Sequence, residues 1–352
     1  MPTSQRQPVE PQTRRESPGG SAPRAPASGA PPVRRRLSPR VRRRRTLAGI
    51  GAVGLAAALL IGPFRRQPRS APAPARPAPV PPGRPGTQLG GGIFPAGACM
   101  AFAPTTGDRH QTVFLDAGHC GPDPGASGTT TDGRSVDERS LTLPVVLDAS
   151  AMLRAAGYGV VVSRTTDTSV GLLGPGDATA GALTLQGEHV DTEARVTCAN
   201  LSAAGVLLSV HFNAFSDPTA RGLLTTYDDS RPFSAANLRF AQLVDTDVVD
   251  ALDVAGWSVP DRGVQPDTTV GAPALSNEAH QYGHLLILGP AAPGWLDHPT
   301  TMPGALVEPL FLTDPAEASV AADPIGQHAI AAGITSAVEA FLAAPGPAGA
   351  TP

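Results

Sequence analysis

Between residues 112 and 308 the chain alternates short aliphatic runs with longer stretches of helical spacing, and this alternation constrains its fold more than any other feature. TVFLD (112–116), YGVVVSR (158–164), VLLSVHF (206–212), GLLTTY (222–227), HLLIL (284–288) and GALVE (304–308) read as strands. Their apolar residues are nearly continuous, as expected of strands covered on both faces. Leu141, Val145, Ala149, Met152 and Ala156 recur at helical spacing and stop at Gly157. Pro144 costs a hydrogen bond unless it lies in the first turn, so this helix is expected to start near 140. VDTEARVTCANLSAAG (190–205) reads as a second helix, and Ser234 is expected to cap a third that runs to about Ala255. Ile330, Ile334, Ala337, Val338 and Phe341 mark one face of the last. The expected fold is α/β: one globular domain at 107–343, with a mainly parallel or mixed central sheet flanked by helices on both faces.

The residues before 107 are of another kind. Residues 1–106 carry 17 Arg against Glu10 and Glu16, while the rest carries 10 Arg against 28 acids. Segment 1–45 has almost no apolar content and is expected to be a disordered, basic cytoplasmic tail. Thr46–Phe64 is a run of 19 uncharged residues, close to what a hydrocarbon core of ~30 Å requires. Twelve Arg precede it and three follow closely, which places the N-terminus in the cytoplasm and the acidic half outside. A single-pass membrane anchor at 46–64 is therefore expected; the alternative is secretion after signal cleavage. Residues 65–106 read as a Pro-rich linker and 344–352 as a disordered tail. The acidity of the globular half argues against a nucleic-acid partner.

Cys99, Cys120 and Cys198 are too few for a disulfide framework and show no CxxC spacing. Outside the cytoplasm one bridge is compatible with them. Cys99–Cys198 with Cys120 free is the expected pairing, against the alternative of three unpaired thiols.

Chemistry-bearing residues gather at strand ends. His119 lies just past the first strand, His211 at the end of VLLSV, Glu138 at the start of the first helix and Glu308 at the end of GALVE. Open α/β sheets assemble their sites at the carboxyl ends of strands, and two His with one Glu form a common catalytic zinc set. Taken singly, each residue also has a plain structural reading, as a loop hydrogen bonder or a helix-start acid.

Six segments add a resemblance. Asp116-Ala-Gly-His-Cys-Gly-Pro-Asp-Pro-Gly-Ala126, Glu138-Arg-Ser-Leu141, Arg195 with Ala199-Asn200, Ser209-Val-His-Phe-Asn-Ala214, Arg262–Val264 and Leu306-Val-Glu-Pro-Leu-Phe-Leu-Thr-Asp314 follow one another in order. Across about 110–343 the chain resembles the zinc-dependent Amidase_3 family of N-acetylmuramoyl-L-alanine amidases. The resemblance implies a peptidoglycan hydrolase that cleaves the amide between N-acetylmuramic acid and L-alanine. It implies a Zn2+ held by His119, Glu138 and His211, with Glu308 as catalytic acid/base. Asp116, Arg195, Asn200 and Asn213 are candidates for supporting or substrate-contacting roles. Gly118, Gly121 and Gly125 are expected to let backbone approach the ligands closely.

Departures from the family pattern are Ala117, Cys120, Leu310 and Asp314. The Cys120 side chain is expected to point away from the ligands. Segments 167–190 and 265–302 are longer than the family usually carries. They are expected to rim the groove, or to cover it until a regulatory protein moves them. Within the second, His280 and His284 are four apart and would share a face of a helix. The competing functions are a catalytically silent peptidoglycan-binding relative and a zinc hydrolase of another amide. A Ser hydrolase is disfavoured by the absence of G-x-S-x-G.

Overall fold

The computed structural model describes residues 86–270 and 277–343. The tail 1–45, the anchor 46–64 and the tail 344–352 lie outside them. Among the described residues no helix is long and apolar enough to cross a membrane.

The strands are β1 Thr87–Gln88, β2 Ala98–Phe102, β3 Thr112–Ala117, β4 Ser127–Thr129, β5 Ser135–Asp137, β6 Gly159–Arg164, β7 Ala178–Thr179, β8 Ala182–Leu183, β9 Val206–Val210, β10 Leu223–Tyr227, β11 Asp261–Pro266 and β12 Gly304–Glu308. Eight form one sheet in the order β1-β2-β6-β3-β9-β12-β10-β11; β4–β5 and β7–β8 are separate ribbons. β6, β3, β9 and β12 run parallel, while β10 is antiparallel to β12 and β2 to β6. The sheet is therefore mixed, with a parallel centre.

The near-continuous apolar runs have the expected cause: both sheet faces are covered. Side chains alternate across a strand. Val113, Leu115, Val206, Leu208, Val210, Ala305 and Val307 pack with α1 (Glu138–Ala155), α3 (Ser234–Val254) and the C-terminal helix Pro324–Ala343. Phe114, Val161, Leu207 and Leu306 face the other way, toward α2 (Leu185–Leu201) and the segment 285–302. Ile330, Ile334, Ala337, Val338 and Phe341 are all buried, as their spacing requires.

Four expectations need correction. The ordered domain begins before 107, because β1 and β2 lie inside the stretch read as linker; β2 pairs with β6 from Ala98↔Arg164 to Phe102↔Val160. β2 also carries Cys99, bonded to Cys198 of α2, while Cys120 is free and buried. HLLIL is not a strand: Leu288 N and Gly289 N both donate to Leu285 O, closing a turn whose side chains are buried under α2's face of the sheet. A short apolar run looks the same in sequence whether it is a buried turn or a strand. Helix α1 starts at Glu138, so Pro144 lies beyond the first turn, and Asp137 caps the start by accepting from Ser140 N. The cap of α3 is Phe233, without a side-chain hydrogen bond, rather than Ser234.

Candidate metal centre

Ala117, Val210 and Val307 are level across β3, β9 and β12. One step further along the chain come Gly118, His211 and Glu308, so the ends of three adjacent parallel strands deliver these residues to one edge. The same alternation puts Asp116, Ser209, His211 and Glu308 on the α2 face, where they line a cavity of about 530 Å³.

Glu138 reaches this edge as the first residue of α1, and it is 2 % exposed. Its Oε2 lies 3.0 Å from His119 Nε2, and its Oε1 lies 3.0 Å from His211 Nδ1. The two imidazole nitrogens are 3.2 Å apart. One ligand atom from each of the three residues falls within 4.8 Å of the others. Phe212 N and Ala126 N donate to the two Glu138 oxygens at 2.8 and 2.9 Å, so the carboxylate is aimed by backbone.

Close approach demands glycine at two places. A Cβ on Gly118 would stand 2.4 Å from the His211 ring, and one on Gly125 would stand 2.6 Å from both Glu138 Oε2 and the His119 ring. Gly121 is not pressed in this way; its φ of +30° places it in a turn. His119 itself has φ +58°, a conformation rarely held by a non-glycine residue without support from its surroundings. That support is visible. His119 Nδ1 is paired with Asp123 Oδ2 at 2.7 Å, which turns Nε2 toward Glu138 and His211. Arg195 Nη2 donates to His119 O at 2.9 Å.

Arg195 carries much of this scaffold. It donates to Asp116 Oδ1, Ala117 O and Asp191 Oδ2 as well, at 2.6, 2.7 and 2.8 Å. Asp116 also accepts from Ser209 Oγ at 2.6 Å. Burial opposes an ionised Asp116, but Arg195 and Ser209 outweigh it and hold the carboxyl below its ordinary value. Arg164, fully buried, donates to Ala117 O, Gly118 O and Arg139 O.

In the metal-free protein the centre holds protons tightly. Burial works against a charged His119, yet Glu138 and Asp123 raise it to about 10. Burial likewise works against an ionised Glu138, and the two imidazoles hold it well below its ordinary value. Glu308 is raised to about 8 by burial and by the charge of Glu138, in spite of a hydrogen bond from Asn213.

The expected site residues thus divide. His119, Glu138, His211, Glu308 and Asn213 share the cavity edge, with Asp116 and Arg195 beneath it. Asn200 does not join them. It lies near the end of α2, where its side chain binds His298 O, Pro299 O and Thr301 N and so ties down the segment after 297. Cys120 points toward Asp191, with Sγ 3.6 Å from Oδ2. Leu310 is core, Asp314 caps the helix Pro315–Ala321, and Glu317 accepts from Gly222 N and Phe311 N. Asp123, Asp191 and Arg164 are contributors that the sequence reading missed. Asp123 alone had a signal, its place in the His119 loop.

The donor set, two imidazole nitrogens and a carboxylate with a hydrogen-bonded outer partner, is chemically suited to Zn2+. The sequence pattern of a family described as N-acetylmuramoyl-L-alanine amidase (Amidase_3) matches residues 113–340. The chain is 23 % identical over 248 residues to N-acetylmuramoyl-L-alanine amidase AmiC of Neisseria meningitidis, covering 66 % of this chain and 53 % of that protein. It thus spans about half the length of that relative. It is 28 % identical over 224 residues to the germination-specific N-acetylmuramoyl-L-alanine amidase of Bacillus subtilis, covering 64 % and 76 %. Among solved structures, the CwlD amidase of Clostridioides difficile in complex with the GerS lipoprotein aligns with a TM-score of 0.49 at 22 % identity, covering 66 % and 98 %.

Proposed function

The chain belongs to the N-acetylmuramoyl-L-alanine amidase family, and from that premise we propose that it hydrolyses the amide between N-acetylmuramic acid and the L-alanine of the peptidoglycan stem, with Zn2+ held by His119, Glu138 and His211. The observation that carries this reading is the convergence of those three donors at one sheet edge beside the buried carboxyl of Glu308. When bound, zinc supplies an acidified water and a Lewis acid for the amide carbonyl. Glu308, positioned by Asn213, accepts a proton from the attacking water and returns it to the departing L-alanine nitrogen. Asp123 holds the His119 tautomer, and Arg195 holds the backbone from which His119 projects.

The anchor at 46–64 and an extracytoplasmic location form part of the same proposal. They are supported by the uncharged run and its flanking Arg excess, and they agree with a substrate that lies outside the membrane. The whole reading is tested by digesting purified peptidoglycan with the chain, with and without chelator, and scoring free L-alanine amino termini by mass spectrometry. Release abolished by chelator and by Glu308→Gln is expected. Release indifferent to both would remove the proposal.

A further inference from the structure

A second group of ionisable side chains gathers at the opposite edge of the sheet. β10 runs antiparallel to β12, and β11 runs parallel to β10, so both end where β9 and β12 begin. Asp228 follows β10 and Asp267 follows β11, each fully buried at 0 % exposure. His284 lies just beyond the helix Asn277–Tyr282 and faces both. Its Nδ1 is 3.0 Å from Asp228 Oδ2 and 3.3 Å from both Asp267 oxygens. One ligand atom from each residue falls within 4.8 Å of the others.

The hydrogen bonding around these groups is incomplete. Asp228 Oδ1 accepts from Ser230 N, Ser230 Oγ and Arg231 N. Asp267 Oδ2 accepts from Leu285 N at 2.9 Å. Asp228 Oδ2 is buried, points into the cluster and makes no hydrogen bond. A single imidazole N–H cannot be aimed at two carboxylates at once, and a buried carboxylate oxygen without a donor is costly. The guanidinium of Arg231 does not fill the gap; it donates to the carbonyls of Leu288, Gly289 and Thr300.

We propose that Asp228, Asp267 and His284 form a second divalent-cation site, separate from the one beside Glu308. Two carboxylates offset the charge of such an ion, and a mixed nitrogen and oxygen set suits Zn2+ and neighbouring first-row ions. His284, with its side chain 21 % exposed, leaves a route to solvent. The site has a structural consequence for the pocket. His284 opens the turn that carries Leu285, Leu286 and Ile287, and these three line the wall of the large cavity. An ion here ties that wall to two strand ends that take no part in the chemistry.

The test uses the full chain, dialysed against Zn2+ and then buffer, with metal content measured by mass spectrometry. Two equivalents are expected in the parent, one in His119→Ala and one in His284→Ala. Zn2+ should raise the melting temperature of His119→Ala and leave that of His119→Ala/Asp228→Asn unmoved. The melting arm uses only added Zn2+ and stands even if His284→Ala fails to fold. A parent that retains one equivalent, lost on His119→Ala, overturns the proposal; so does a Zn2+ response that survives in the double variant. Failure of the zinc site beside Glu308, on which the amidase reading rests, looks different: His119→Ala would then keep every equivalent while His284→Ala lost one.

Discussion

Arg195→Met is the substitution that interrogates the scaffold most directly. The Arg195 side chain is 5 % exposed and spends its donors on Asp116, Asp191, Ala117 O and His119 O. Met fills much of the same volume and supplies no donor. The variant therefore buries two carboxylates, at 1 % and 4 % exposure, without their cation. Removing one partner from such a buried network costs about 3–5 kcal/mol. For a domain of this size each kcal/mol shifts the melting temperature by about 2–4 °C, so a fall of roughly 6–20 °C is expected. The pH dependence supplies an internal check. In the parent, Asp116 lies below its ordinary value, so its contribution is present above that ordinary value and is lost as pH falls through the lowered one. In the variant, burial is opposed chiefly by the hydrogen bond from Ser209 and is expected to raise Asp116. Stability is then fullest in acid and declines as pH rises. The gap between parent and variant must widen from acid toward neutrality. Thermal melts followed by circular dichroism across that range decide it. A gap under about 2 °C at neutral pH, or one that widens toward acid, would refute the argument.

Three further outcomes are expected. Gly118→Ala pushes a methyl against the His211 ring, with 2.4 Å to its nearest atom; metal uptake and hydrolysis should fall together, the rate on the order of 100-fold, while far-UV circular dichroism is unchanged. Glu308→Gln should lower turnover by about 10²–10⁴-fold. Because metal-free Glu308 sits at about 8 against an ordinary 4.5, the metal-free parent should lose stability more steeply than the Gln variant as pH rises between those values; parallel melting curves of the two would count against its burial. Replacing Cys99 and Cys198 by Ser opens a link across 99 residues, worth about 2–4 kcal/mol in typical cases; an unchanged melting temperature would show that α2 is held to β2 without it.

The legible part of this molecule is the part governed by local periodicity and by strand ends. His119, His211 and Glu308 could be assigned to one edge because parallel strands end level, and the register of β3, β9 and β12 makes them so. What was illegible depended on tertiary partners. β11, Asp261–Pro266, contains two charges, a Gly and a Pro and carries no strand pattern; it exists because β10 offers a free edge. HLLIL carries a strand pattern and is a turn, because its burial comes from α2 and the sheet rather than from a strand neighbour. Asn200 matched a motif yet fastens a loop, whereas Asp191, which matched none, orients Arg195 and braces Val170 N and Gly171 N.

The two histidines of NEAHQYGH show the same limit from the other side. Their spacing of four suggested a shared helical face, but the helix ends at Tyr282 between them. His284 is turned to Asp228 and Asp267, which are 56 and 17 residues away in sequence. Spacing reveals ligand sets that lie on one element. It is blind to sets assembled by the return of antiparallel strands, and in this fold β10 is the strand that turns back. A sheet whose central strands all ran parallel would gather its polar strand ends at one edge only. The reversal at β10 gives this sheet a second edge at which such groups can meet, and that is where Asp228 Oδ2 is buried without a hydrogen bond.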